Sequence, residues 1–442
     1  MPDRFSFTAG ASRAEVATAE IGHTRVSPPI VHLLVVGFLA VIFAVQVVEQ
    51  AGLRAMPARG LSTSWSRLTR LPAEIRSAAS GSAASSPESG SLWQDIVRAN
   101  RGVLAAISGF ELGLEDESLL GRTLRPPAQA VMTGWLGAGT ERVYRGRDGW
   151  LFYRPDVEYV TGRGFLEPAE LRQRVAGASE WEAPPQPDPR LAIIHFQRDL
   201  ASRGITLVVV PTPVKPGVHP EKLAMRYVDG AEVLQNPSYR EFVEAIRREG
   251  VLVFDPADVL ARERRTGAQY LASDTHWRPK AMEAVADRLA DFIAQHVDLP
   301  LSPNPGYRID RREVRNTGDT LQMLDLGAET ALYPQEAVWV RRVLEADGSP
   351  WRSSPEANVL VLGDSFSNIY ALESMGWGTS AGLVEHLSYA LRRPVARLVQ
   401  NDQAAFATRA MLRRDPRRLD GKRVVVYQFA ARELAFGDWR VP

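Results

Sequence analysis

Cysteine is absent from all 442 residues. That excludes structural disulfides, zinc–thiolate sites, iron–sulfur clusters and thiol catalysis together. It leaves the compartment open, since a bacterial periplasmic protein can manage without disulfides. Lysine is scarce, four residues against 49 arginines, a bias that fits a GC-rich genome better than a function. Excess charge of either sign is missing too: 53 basic side chains face 52 acidic ones, for a net charge of +1. No field therefore steers the chain toward nucleic acid. No internal repeat is present. What remains is a chain with 45% hydrophobic and 24% charged residues. Its length suits two or three domains with a sizeable core, which rules out a wholly disordered or fibrous protein.

The first strong feature is Ile30 to Val48, 19 residues without a formal charge. A run of about 20 spans a bilayer. A cleaved signal peptide fits poorly, because 29 mixed-charge residues precede the run and no small-x-small site follows it. We expect one transmembrane helix. Arg4, Arg13 and Arg25 precede it and Arg54, Arg59, Arg67 and Arg70 follow it, so charge alone leaves the orientation open. Residues 77–91 are almost entirely Ser, Ala and Gly and read as a flexible linker. The expected organisation is a tail over 1–29, an anchor over 30–48, a juxtamembrane segment and linker over 49–91, a helical lead-in over 92–139 and a catalytic domain over 140–442.

Within that last segment, short apolar runs recur at Thr206–Val210, Val251–Phe254, Asn358–Leu362, Val395–Val399 and Arg423–Tyr427. Helical patterns lie between several of them, at Arg190–Arg203, Ser238–Arg248, Pro279–His296 and Phe366–Met375. This alternation predicts an α/β fold with a mostly parallel sheet covered by helices on both faces. In such sheets, sites gather at the carboxyl ends of strands.

One such end reads Gly363-Asp364-Ser365. The glycine would permit a tight turn, and the serine would stand at a strand-to-helix corner with free helix amides beside it. The bland reading is a Ser/Asp helix cap. A serine nucleophile needs a base, and seven histidines are available. His23 and His32 fall in the tail and the anchor, while His195, His296 and His386 lie in helical patterns. His219 sits in a proline-rich loop and is a weaker candidate. His276 stands in Ser273-Asp-Thr-His-Trp-Arg-Pro279, with Asp274 two residues before it. In an extended segment the pair projects to one face, where Asp274 could hold His276 in the tautomer that accepts the Ser365 proton; the bland reading is Asp274 or Thr275 as a helix cap with His276 merely exposed. No second His or Cys lies at ligand spacing, so no metal site is expected.

Gly-Asp-Ser with Asp274-Thr-His276-Trp277 about 90 residues earlier resembles the circularly permuted SGNH-hydrolase-like domain of the alginate O-acetyltransferase AlgJ/AlgX family. Further segments agree: Gly146-Arg-Asp-Gly-Trp-Leu-Phe-Tyr153, Val210-Pro-Thr-Pro-Val-Lys215, Asn316-Thr-Gly-Asp-Thr320 and Val425-Val-Tyr-Gln-Phe-Ala-Ala-Arg-Glu-Leu434. The resemblance covers roughly residues 120–442. It implies an AlgJ-type enzyme of the bacterial inner membrane, with a periplasmic domain that acetylates an exopolysaccharide using Ser365, His276 and Asp274. It also implies no cofactor, acetyl supplied through a membrane-bound O-acyltransferase partner, and association with other polysaccharide synthesis or secretion proteins.

An aromatic near the nucleophile recurs in the family, and Tyr370 is the nearest match. Trp277, Tyr370 and Trp377 are either sugar-stacking faces or core residues. The backbone N–H of Ser365 is the expected oxyanion donor. Arg413-Arg-Asp-Pro-Arg-Arg418 either attracts a uronate polymer or is a solvated loop compensated by Asp415 and Asp420. An esterase with the same triad and a glycan-binding scaffold remain as alternatives.

Overall fold

The uncharged N-terminal run lies within one continuous helix, α1 (Pro28–Ala55), in the computed structural model, which describes residues 27–55, 64–81, 100, 102–104, 107–111, 119–177, 184–227, 232–327, 332–401 and 404–441. Its 28 residues extend about 42 Å at the usual helical rise. Leu33, Phe38 and Phe43 are each about two-thirds exposed or more on its surface. Among the described residues no helix is long and apolar enough to cross a membrane. The side chains of Ile42, Val45 and Gln46, which lie inside the apolar run, fall outside the described residues. Helix α2 (Ser64–Gly81) takes in Ser77–Gly81, the start of the expected linker. Residues 82–91, the rest of that linker, and the tail over 1–26 lie outside the described residues.

The chain divides into two compact units, one through Arg125 and one from Pro126 onward. Helix α3 (Leu119–Leu136) leads into the second unit, which begins its strands with a small hairpin of β1 (Val143–Arg145) and β2 (Leu151–Tyr153).

The centre of the second unit is a five-stranded parallel sheet of order β4-β3-β9-β7-β8. Its strands are β3 (Thr206–Thr212), β4 (Leu252–Val253), β7 (Val359–Gly363), β8 (Ala396–Val399) and β9 (Val424–Ala430). All five expected runs are strands of this sheet. They are continuous apolar runs because both faces are covered. Val208, Val210, Val359, Val361, Val424 and Val426 point into one core. Their alternating neighbours Leu207, Val209, Leu360, Leu362, Val425 and Tyr427 point into the other.

Helices α4 (Pro189–Ser202) and α5 (Tyr239–Arg248) cover the second core with Ile193, Phe196, Phe242 and Ile246. The first core is covered by α6 (Pro279–His296), which starts on a proline and buries Met282, Val285, Leu289 and Ile293 at three- and four-residue spacing.

Two differences from expectation matter for the site. First, Phe366–Met375 is not one helix. A single turn, α7 (Ser365–Asn368), is followed by a 3-10 turn over Glu373–Met375. Gly376 (φ 76°) and Gly378 (φ 112°) then flank Trp377 with positive φ. Such glycines adopt the left-handed backbone at little cost. Second, a long antiparallel hairpin of β5 (Arg308–Asn316) and β6 (Glu336–Leu344) stands outside the main sheet. Helix α8 (Leu383–Leu391) and helix α9 (Ala404–Arg414) complete the layers.

Candidate active site

Strands β3, β9 and β7 are neighbours, and their carboxyl ends are tied together by buried polar groups. Gln428 is the one polar side chain in β9, and its parity directs it toward the first core. Its Nε2 donates to Asp364 Oδ1 (2.9 Å) and Thr212 Oγ1 (3.0 Å). Its Oε1 accepts from the Asp364 N–H (3.1 Å) and Ser367 Oγ (2.6 Å). Asp364 caps α7 by accepting from the Phe366 N–H at 2.9 Å and also takes the Ala430 N–H at 2.6 Å. A network this fully satisfied holds its loop in one place. The cap and the candidate nucleophile are thus adjacent residues with separate partners.

Gly363 does not serve as a turn residue. It ends β7 without a positive φ, and a Cβ there would lie 2.8 Å from Ser367 Cβ and 3.1 Å from Gln428 Oε1. It is glycine because the Gln428 network packs against its backbone.

Ser365 is partly exposed, and its Oγ lies 2.8 Å from His276 Nε2. His276 Nδ1 lies 2.6 Å from Asp274 Oδ1. Both are buried, at 3% and 2% exposure. Asp274 and His276 share a face through a turn, not through an extended segment. Chain pairing from Gln269 to Arg278 closes a tight loop, and the His276 N–H donates to Asp274 Oδ1 at 3.0 Å. This is the local Asx geometry that short acidic side chains favour.

The carboxylate is held from its other oxygen as well. Trp377 Nε1 donates to Asp274 Oδ2 at 2.9 Å, and the Asp319 N–H does so at 3.2 Å. Burial pushes the Asp274 carboxyl up, but the His276 charge and the His276 and Trp377 hydrogen bonds outweigh it and leave the group below the usual carboxylate range. Burial pulls the His276 imidazole down, yet the Asp274 charge and hydrogen bond, with Asp319 behind them, raise it overall.

Composition and spacing did not reveal Asp319, Lys215 or Arg432, although each falls in a segment that carries the family resemblance. Asp319 accepts from the Thr275 N–H (2.8 Å) and hydroxyl, and its Oδ2 stands 3.8 Å from His276 Nδ1. Burial, then the Asp274 charge, push its carboxyl up. Asp274, His276 and Asp319 carry ligand-type atoms within 4.8 Å of one another. Both ring nitrogens of His276 already face Asp274 and Ser365, an arrangement suited to proton transfer.

Lys215 is fully buried beneath the loop, where its Nζ donates to the carbonyls of Leu151 (2.6 Å), Ala272 (2.8 Å) and Asp274 (2.9 Å). Burial pulls its ammonium down to about 8. Arg432 Nη1 meets the fully buried Asp156 at 2.9 Å, and its guanidinium lies 5.9 Å from the Phe366 ring.

The three aromatics do not offer faces to a sugar. Trp277, Tyr370 and Trp377 are each 0% exposed. Trp277 Nε1 donates to the Phe366 carbonyl (3.1 Å), Tyr370 Oη donates to the Trp277 carbonyl (2.6 Å), and Trp377 holds Asp274. They brace the triad because their polar tips find partners only by turning inward. His219 is also structural: Nδ1 faces Glu221 (2.9 Å) and Nε2 accepts from the Gln269 N–H (3.0 Å). In the basic stretch near the C-terminus Asp415 pairs with Arg417 (3.2 Å) and Arg418 (3.5 Å). A cleft lined by His195, Phe196, Arg409 and Leu412 belongs to the second core and contains none of the triad.

A family described as "SGNH hydrolase-like domain, acetyltransferase AlgX" matches residues 143–431, a span that holds the whole sheet and all three triad residues. This chain belongs to that family. A probable alginate O-acetylase AlgJ of Pseudomonas aeruginosa is 30% identical over 190 residues, 42% of each protein. A protein of the same name from Pseudomonas syringae pv. tomato is 28% identical over 166 residues, 37% of each. The chain thus aligns with about two-fifths of the length of these curated relatives. Among solved structures, the O-acetyltransferase domain of Pseudomonas putida AlgJ superimposes with a TM-score of 0.50 at 21% identity, over 67% of this chain and 93% of that one. The likeness supports the SGNH-hydrolase-like α/β fold.

Proposed function

We propose that this protein is an O-acetyltransferase that moves acetyl groups onto hydroxyls of an exopolysaccharide through an acyl-serine at Ser365. The observation that carries the reading is His276 bridging Ser365 (2.8 Å) and Asp274 (2.6 Å) at the carboxyl edge of the sheet. His276 Nε2 takes the Ser365 proton as Oγ attacks the acetyl carbonyl, and returns it to the departing donor group. Asp274 keeps the imidazole in the productive tautomer and stabilises its protonated form. The Ser365 N–H opens α7, where no helical carbonyl precedes it, and is the oxyanion donor in this reading. A sugar hydroxyl, deprotonated by His276, then attacks the acyl-serine, and as the ester bond to Ser365 Oγ breaks His276 returns the proton to that oxygen. The names of the curated relatives support acetyl transfer within an alginate-type system.

The test is the fate of acetyl. With a small acetyl ester as donor and a hydroxyl-rich oligosaccharide as acceptor, mass spectrometry should show acetylated sugar, and free acetate should fall as sugar is added. Acetate released at the same rate with and without sugar, and no acetylated sugar, would make the protein an esterase.

Residues 140–442 are the catalytic domain in this proposal and Ile30–Val48 its inner-membrane anchor, with the domain in the periplasm. The uncharged run and the 28-residue length of α1 support the anchor, and the family resemblance supports the orientation. Acetyl would come from a membrane-bound O-acyltransferase partner, with no cofactor of the chain's own. Alkaline phosphatase fused after Gly90 should be active; an inactive fusion, with a cytoplasmic reporter working at the same site, would reverse the orientation.

A further inference from the structure

Lys215 is fully buried beside the triad, yet no proton transfer at Ser365 uses it. It stands three residues beyond β3, at the start of a single helical turn (Lys215–Val218). Its Nζ joins two separate segments: it donates to the Leu151 carbonyl of β2 at 2.6 Å, and to the Ala272 and Asp274 carbonyls of the catalytic turn at 2.8 and 2.9 Å. The Leu151 N–H also donates to the Ala272 carbonyl at 2.9 Å, so lysine, hairpin and turn form one small hydrogen-bonded cluster. Among the described residues Lys215 is the one donor to the Asp274 carbonyl.

The number of donors decides which form the lysine takes. An ammonium has three N–H bonds and no acceptor, whereas a neutral amine has two N–H bonds and a lone pair. Three carbonyl oxygens within 3 Å therefore match the ammonium, donor for donor. Loss of its proton would turn a lone pair toward a buried carbonyl, and a buried acceptor left without its donor is costly. Among the described residues Lys215 makes no ion pair in contact. The Trp150 and Phe152 rings lie 5.2 Å from Nζ, and Asp156, Asp274, Asp319 and Glu336 favour its charge from further off. His219 also feels that charge, and burial keeps its own pKa low. Burial outweighs the carboxylates at Lys215 and brings its ammonium down to about 8.

We propose that Lys215 is a positioning residue for catalysis: as an ammonium it holds the Asp274–His276 turn against the β1–β2 hairpin, and its deprotonation lets the turn shift and slows the reaction on the alkaline side. The effect on rate rests on the acyl-serine reading, whereas the titration of the turn does not. Position and folding separate by sign. A lysine whose pKa is lower in the folded chain than in the unfolded one makes the fold no less stable as pH rises through it. The alkaline loss of rate therefore comes without a lower melting temperature.

The full chain in detergent is isotope-labelled at its lysine side chains and titrated by NMR. It has only four lysines, so Lys222→Arg, Lys280→Arg and Lys422→Arg identify the Lys215 signal by elimination. That signal should titrate near 8, and the Thr275 and His276 amide signals should move with the same midpoint. The kcat for a small acetyl ester should fall with that midpoint while the melting temperature holds. Lys215→Met should lower kcat about a hundredfold, change KM by less than about threefold, and leave a residual activity with no alkaline limb. A Lys215 midpoint at the ordinary value of about 10.4, turn signals that do not follow it, or a kcat that does not fall with it overturns the proposal. So does a Lys215→Met variant with wild-type kcat or an unmoved alkaline limb. If Lys215→Met does not fold, the wild-type midpoints decide by themselves. If lysine and turn titrate together but the wild type turns over no acetyl ester, the acyl-serine reading falls and the coupling of Lys215 to the turn stands.

Discussion

Ser365→Ala abolishes acetyl transfer, with a loss on the order of a thousandfold or more in rate, while protein abundance and polymer secretion stay as they were. Oγ is the atom that would carry the acyl group. The fold loses little, because the cap on α7 is Asp364 and the serine contributes only its contact to His276. His276→Ala should match the serine variant, and the double variant should be no worse, because groups that act as one unit are not additive. Asp274→Ala should keep some activity, since Asp274 orients the base without touching substrate.

The pH profile carries the same signature. In the proposed mechanism His276 works as the neutral base, and its pKa is raised above the ordinary histidine value, so activity should fall on acidification at a pH above about 6.5. Asp319→Asn removes one of the charges that raise it and should move that limb to lower pH. Acetylation unchanged in Ser365→Ala would leave the fold as a scaffold, and an acid limb unmoved by Asp319→Asn would remove Asp319 from the site.

Gly318→Ala is expected to be the next most damaging change, although it touches no substrate. The backbone there has an ordinary φ of −77°, so a side chain brings no conformational strain. Space is the obstacle: the new Cβ would overlap the Ser273 carbonyl and lie 2.5 Å from Asp274 Cβ. Both neighbours belong to the tight catalytic turn and cannot rotate away. Either the turn or the 316–319 segment must retreat, and the Asp319 N–H to Asp274 Oδ2 bond of 3.2 Å opens. Overpacking of this kind costs about 1–3 kcal/mol of stability. A displacement near 1 Å at a catalytic base costs about a hundredfold in rate. A lower melting temperature with a sharply reduced kcat is the expected pair of measurements. Wild-type kcat in the folded variant would show that the turn tolerates the shift.

The main sheet was legible because its strands are buried on both faces. Continuous apolar runs such as Val359–Gly363 have no other use, and all five found their places. The triad was legible for a different reason. Of seven histidines, only His276 had a carboxylate two residues before it, in a loop leading into a helix, and Gly-Asp-Ser marked a strand end. The β5–β6 hairpin was not legible. Arg308–Asn316 holds Ile309 and Val314 as its only large apolar residues, and the strand is held by pairing with β6, which a strand's own composition does not announce.

The sequence by itself determined which residues could react: the absence of cysteine, the few histidines and the Gly363-Asp364-Ser365 corner left little choice. It did not determine what holds them. Trp277, Tyr370 and Trp377 read equally as binding faces or core, because an aromatic ring carries no mark of which side will be covered. Only the tertiary structure turned all three inward, against Phe366, Trp277 and Asp274 respectively. It also brought Asp319, some 45 residues from Asp274, and Lys215, some 59 away, to the two sides of one turn. Reactivity belongs to single side chains and short spacings, so it can be read along the chain. Support depends on which distant backbones come within 3 Å of each other, and that distance exists only once the sheet has assembled.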